Sequence, residues 1–220
     1  MLYKASYLET LGETCIDLSS NAYSDAWPML RRLVFRKIPI DRTAQCLPLA
    51  CAILTRNNCG DSFDFAGIRV GSDYAEAIRT VLGSRTNIVN VDGFNRTFST
   101  GEVDVIVNRA GTPPASPQHQ ARAPLARVDW SGDFVDPQTR SSAGFAFGAV
   151  QTNAAFFADP FSVSVAVGLL FGRDRCGNLH VAEPAIDARQ YDTICEALRI
   201  IGVTLHGEVE QTTPAFARAG

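Results

Sequence analysis

The sequence predicts an α/β fold, a layered mixed sheet with helices on both faces. Three observations lead there. Runs rich in β-branched residues (GIRVG, NIVNVDG, EVDVIVN) alternate with segments of helical period, turn residues separate the two kinds, and the intervening stretches are long enough for crossovers. The chain has 220 residues, 46% of them hydrophobic, which suits one domain over 1–220 with a single large core better than two small ones. The N-terminal region 1–30 and the tail 211–220 contribute no predicted element.

In chain order, DRTAQCLPLACAILTR (41–56) reads as the first helix. Ala44, Leu47, Ala50, Cys51, Ile53 and Leu54 recur at helical spacing, with Asp41 placed to cap the helix and Pro48 to kink it. FAGIRVGSDYAEAIRTVLG then reads as a short strand from Gly67 to Gly71, a cap at Ser72 or Asp73, a helix to Leu82 and a stop at Gly83. The runs 87–93 and 102–108 predict neighbouring strands, the second leading into the Pro-rich loop AGTPPASPQ.

A polar crossover is expected over 119–133, after which Phe134 and Val135 form the end of a strand that Asp136 closes. SAGFAFGAVQTNAAFFA predicts a central helix, although each glycine costs it about 1 kcal/mol against alanine. FSVSVAVGLLF (161–171) is the strongest strand by pattern, and RDRCGN turns it into a second strand, LHVAE, as a hairpin. DARQYDTICEALRIIG (187–202) predicts an amphipathic helix with Ile194, Leu198 and Ile201 on one face and Gly202 near its end.

Composition excludes several classes of function. Lys+Arg total 20 against Asp+Glu 23, for a net charge of −3 without any run of like charge, so there is no footprint for a nucleic-acid backbone. Lysine occurs only at Lys4 and Lys37, an arginine bias to which we attach no function. Glu9, Glu13 and Asp17 interrupt the place where a signal peptide needs an unbroken apolar stretch, and no later window has 18 consecutive apolar residues. The expectation is a soluble, cytoplasmic protein that does not enter a membrane. Cys15, Cys46, Cys51, Cys59, Cys176 and Cys195 are scattered, with no C-x-x-C pair and no histidine at zinc spacing. They read as reduced thiols, with neither a metal nor a cofactor expected.

Two groups of residues carry a family resemblance. RRLVFRKIPIDRTAQCLPLACAILTRNN followed by GIRVGSDY is similar to the early part of β-ketoacyl synthases, where a DR-containing helix rich in Ala and Leu precedes a strand ending in a small-residue turn. EVDVIVNRAGTPPASPQHQA, then DFVDPQTRSSAGFAFGAVQTNAAFF, then FSVSVAVGLLFG resembles the order of the thiolase-like superfamily: strand, T-P loop, helix, strand, nucleophile turn, central helix, strand. The resemblance spans residues 31–172, about one half of the usual length. It implies a cysteine at the start of the central helix, where the helix dipole and exposed N–H groups stabilise a thiolate that attacks an acyl thioester. Here that turn reads Thr139, Arg140, Ser141, Ser142, Ala143, Gly144, and no cysteine lies between Cys59 and Cys176. The family's histidines, or a histidine and an asparagine, are carried on a second copy of the fold that this chain is too short to hold. What the resemblance then implies is the role of a chain-length-factor subunit, which lacks the cysteine and acts with an active partner.

Candidate site residues follow from the same turn. Ser141 or Ser142 would replace the thiol if a base stood within reach, and the histidines are His119, His180 and His206, of which His180 is the first candidate. Asp136, Thr139 and Arg140 are the candidate substrate contacts. Serines at a helix start more commonly cap it. Asp92, Asp104 and Asp136 fall near predicted strand ends, where converging carboxylates would serve as acid and base, although turn formation is the commoner role. VDVIVNRAG is also similar to the N-N-A-G strand of short-chain dehydrogenases. No G-x-x-x-G-x-G precedes residue 100 and no lysine follows Lys37, so that family is set aside.

Three functions remain. The first is a ketosynthase-like accessory protein working with an acyl carrier protein or a condensing-enzyme partner in fatty-acid or polyketide assembly, as a homo- or hetero-oligomer. The second is a structural or assembly protein on an α/β scaffold unrelated to thioesters. The third is an acyl transferase or hydrolase with a serine nucleophile.

Overall fold

The structure, a computed structural model, describes residues 1–8, 13–20, 30–36, 44–93, 99–110, 125–132 and 146–209. It opens on three strands in a stretch where the sequence predicts none. β1 (Leu2–Leu8), β2 (Glu13–Ser19) and β3 (Arg32–Arg36) form an antiparallel meander with Lys4 opposite Asp17 and Asp17 opposite Arg32. Tyr3, Ile16, Leu18, Leu33 and Phe35 alternate inward and are buried. Glu13 and Asp17, which break any signal-peptide pattern, lie on the face of β2 opposite to Ile16 and Leu18, Glu13 itself being buried there. Arg36 pairs with Glu13 and Arg32 with Asp17 across that face.

α1 (Cys46–Thr55) is buried along its whole length. Asp41 lies outside the described residues, Gln45 holds the cap position without a side-chain bond, and Pro48 falls in the first turn, where its missing N–H costs nothing and no kink is required. β4 (Ser62–Ala66) pairs with β1 in parallel. The predicted strand from Gly67 shrinks to β5 (Val70–Gly71), and Gly71 itself caps α2 (Ser72–Leu82), in place of Ser72 or Asp73. Gly83, at φ 109°, ends that helix as expected.

The runs 87–93 and 102–108 are not neighbours. β6 (Asn87–Ile88) pairs with β4, β7 (Val91–Asp92) pairs with β5 in a separate two-stranded sheet, and β8 (Val103–Arg109) lies elsewhere, beside β9 (Leu125–Ser131). β9 occupies most of the stretch expected as a polar crossover. Its Arg127, Asp129 and Ser131 alternate with buried Ala126, Val128 and Trp130, so its polarity belongs to one face only.

The two apolar segments of the middle of the chain exchange roles. The predicted central helix holds β10 (Ala146–Thr152) and a 3-10 turn over Ala154–Phe156, with 142–145 outside the described residues. The predicted strand 161–171 is α3 (Pro160–Gly172). Asp159 accepts from the backbone N–H of Ser162, and Pro160 takes the first helical position, a helix-start signature. A helix apolar all round is a buried helix, and its run is longer than a strand of ordinary length. Gly168 and Gly172 let it lie against the sheet: a Cβ at Gly168 would stand 2.8 Å from Val107 Cγ2, and one at Gly172 2.9 Å from Val105 Cγ2. The strand after it is real, but the hairpin is not. β11 (Cys176–Val181) runs parallel to β8, because α3 is the crossover that brings the chain back.

α4 (Ala188–Ile200) matches its prediction, with Asp187 accepting from the N–H of Gln190, Ile194 and Leu198 buried, and Gly202 at φ 80° just beyond its end. β12 (Thr204–His206) closes the edge of the sheet.

The result is a mixed α/β architecture around a ten-stranded sheet of order β12-β11-β8-β9-β10-β3-β2-β1-β4-β6. Val105, Val107, Val128, Trp130, Leu179, Phe35 and Tyr3 share the face that meets the helices. α3 packs on β8, β9 and β11, α1 on α3, α2 on α1 and α4, and α4 on β12. The expected helices on both faces are thus reduced to one helical layer among the described residues. β8 to β12 are mutually parallel, with β9 and β10 following β8 to one side and β11 and β12 to the other. Chain order therefore reverses between β8 and β11.

Candidate functional site at the carboxyl ends of the parallel strands

In open parallel sheets, ligands bind outside the carboxyl ends of the strands where strand order reverses. Here that place holds the first turn of α3, the end of β8, the end of β9 and the residues just after β11. Ser162 and Ser164 are both buried in that turn, about 200° apart around the helix, and so face different neighbours.

Ser164 faces the sheet. Trp130 Nε1 donates to Ser164 Oγ at 2.7 Å, and Ser164 passes its own hydrogen to Glu183 Oε2 at 2.6 Å. The direction is fixed, since an indole only donates and a carboxylate only accepts. The backbone N–H of Arg109 donates to Glu183 Oε1 at 2.8 Å. One buried carboxylate, 6% exposed, thus ties β8, β9, α3 and the segment after β11 together. The Arg109 guanidinium lies 5.6 Å from the centre of the Trp130 ring. On the opposite face, Asn108 donates to Asp129 at 3.1 Å, and Arg127 grips the same carboxylate at 3.1 and 3.2 Å.

Ser162 faces the helical layer. Its backbone N–H and hydroxyl donate to the two carboxylate oxygens of Asp159 at 3.0 and 2.8 Å. Gln190 Nε2 donates to Asp159 at 2.8 Å and to Ser162 Oγ at 3.0 Å, and Arg56 approaches Asp159 at 3.6 Å. The positive end of α3 is therefore neutralised by the chain's own carboxylate.

The residues selected from the sequence separate. Ser141, Ser142, Asp136, Thr139, Arg140 and His119 lie outside the described residues. His180 is on β11, its ring stacked on that of His206 from β12. Asp92 sits in the small β5–β7 sheet, whereas Asp104 is at the amino end of β8 and accepts from Asn178 at 2.7 Å, so these two do not converge. Glu183, Ser164, Trp130, Asp159 and Gln190 were not selected. Asp159-Pro160 ahead of a long apolar run was the available signal for the helix start.

Thiol chemistry is disfavoured at four of the cysteines. Burial, with Asp104 as a smaller contribution, pushes the Cys176 thiol up to about 12. Burial likewise raises Cys51, Cys15 and Cys195. Among the described residues no group of three or more His, Cys, Asp or Glu side chains is arranged around a common metal position, and no helix is long and apolar enough to cross a membrane. An open depression of about 410 Å³, lined by Cys59, Asp61, Leu82 and Arg85, lies at the end of α2, away from the parallel strand ends.

Comparison with protein-family models, with curated proteins and with solved structures gives no match.

Proposed function

We propose that this chain is a ketosynthase-like accessory protein without a nucleophile of its own, acting with an acyl carrier protein or a condensing-enzyme partner in fatty-acid or polyketide assembly. The observation that supports the reading is the closed first turn of α3. A thiolase-like nucleophile needs an unoccupied helix N-terminus, a reactive side chain at its start and access for the thioester. At the start of this buried helix, Asp159 takes the Ser162 N–H and hydroxyl, and Ser162 is fully buried. Ser164 is equally buried and spends its hydrogen on Glu183.

The same end of the molecule exposes Phe156 at 66% and Ile186 at 53%. The backbone N–H of Ile186 is held by Gln190, which also holds Asp159, so Ile186 lies beside the closed turn, and Phe156 ends the 3-10 turn three residues ahead of Asp159. This supports a role by association. It equally favours the second reading, an assembly protein unrelated to thioesters.

Titration of the chain with acyl-loaded carrier protein and with a condensing enzyme, followed by sedimentation and by free-thiol release, separates the two. Saturable binding to either protein without thiol release is the expected result. Self-association with no binding to either overturns the accessory reading in favour of the assembly one.

A further inference from the structure

We draw no further inference here: the strongest candidate, the open depression at the end of α2 lined by Cys59, Asp61 and Arg85, offers a lone thiol that already donates to the carbonyl of Ser62, and nothing in the structure points to a ligand for it.

Discussion

At the scale of residues, Glu183 is the carboxylate that joins β8 to α3 at the switch point. In Glu183→Ala, Ser164 O–H and Arg109 N–H lose their acceptor in a buried place, and the expected cost is about 2–4 kcal/mol in urea unfolding. A loss under about 0.5 kcal/mol would mean that water replaces the carboxylate freely. The buried thiols set the response to alkali. Cys176 has its folded-state value raised, so its contribution is complete below the unfolded thiol value and is lost as pH rises toward about 12. Stability is therefore expected to fall above about pH 8.5, by up to about 1.4 kcal/mol per pH unit for each such thiol. Cys176→Ala should flatten that slope, and an unchanged slope would remove Cys176 as its cause. Little of this was legible in the sequence. Glu183 follows a strand and precedes a proline, and nothing local reveals that Ser164 and Arg109 meet there.

At the scale of elements, Gly168 tests the helix-on-sheet contact. Gly→Ala inside a helix ordinarily gains about 1 kcal/mol, but here the new methyl meets Leu179 and the stiff β-branched Val107. Gly168→Ala is expected to destabilise by about 1–3 kcal/mol, and a gain in thermal midpoint would show that α3 lifts from the sheet without cost. Some elements were readable because local chemistry and tertiary role agree. α4 has its Asp187 cap and amphipathic face, α2 its Gly83 stop, and β8 its β-branched run. α3 and β10 were exchanged because both are apolar and rich in small residues, so periodicity does not separate a buried helix from a buried strand. β1, β2 and β9 were missed because charged residues on their outer face hide the alternation beneath.

At the scale of the whole molecule, an antiparallel meander extends a parallel sheet whose strand order reverses between β8 and β11. The helical layer covers one face, and α3 starts over the reversal with Ser162 and Ser164 both hydrogen-bonded to carboxylates of the chain. Class and mixed sheet were legible from the alternation of runs. The sheet order was not, since it depends on pairings between segments far apart in the chain. The proposed accessory function rests on the closed turn, where both hydroxyls, Ser162 and Ser164, are buried and donate to carboxylates. Intact mass after incubation with acetyl, malonyl and longer acyl thioesters, with peptide mapping, tests this most directly. An unchanged mass is predicted. An acyl adduct on Ser162, Ser164, Ser141, Ser142 or a cysteine would contradict it and make the chain an acyl-transferring enzyme.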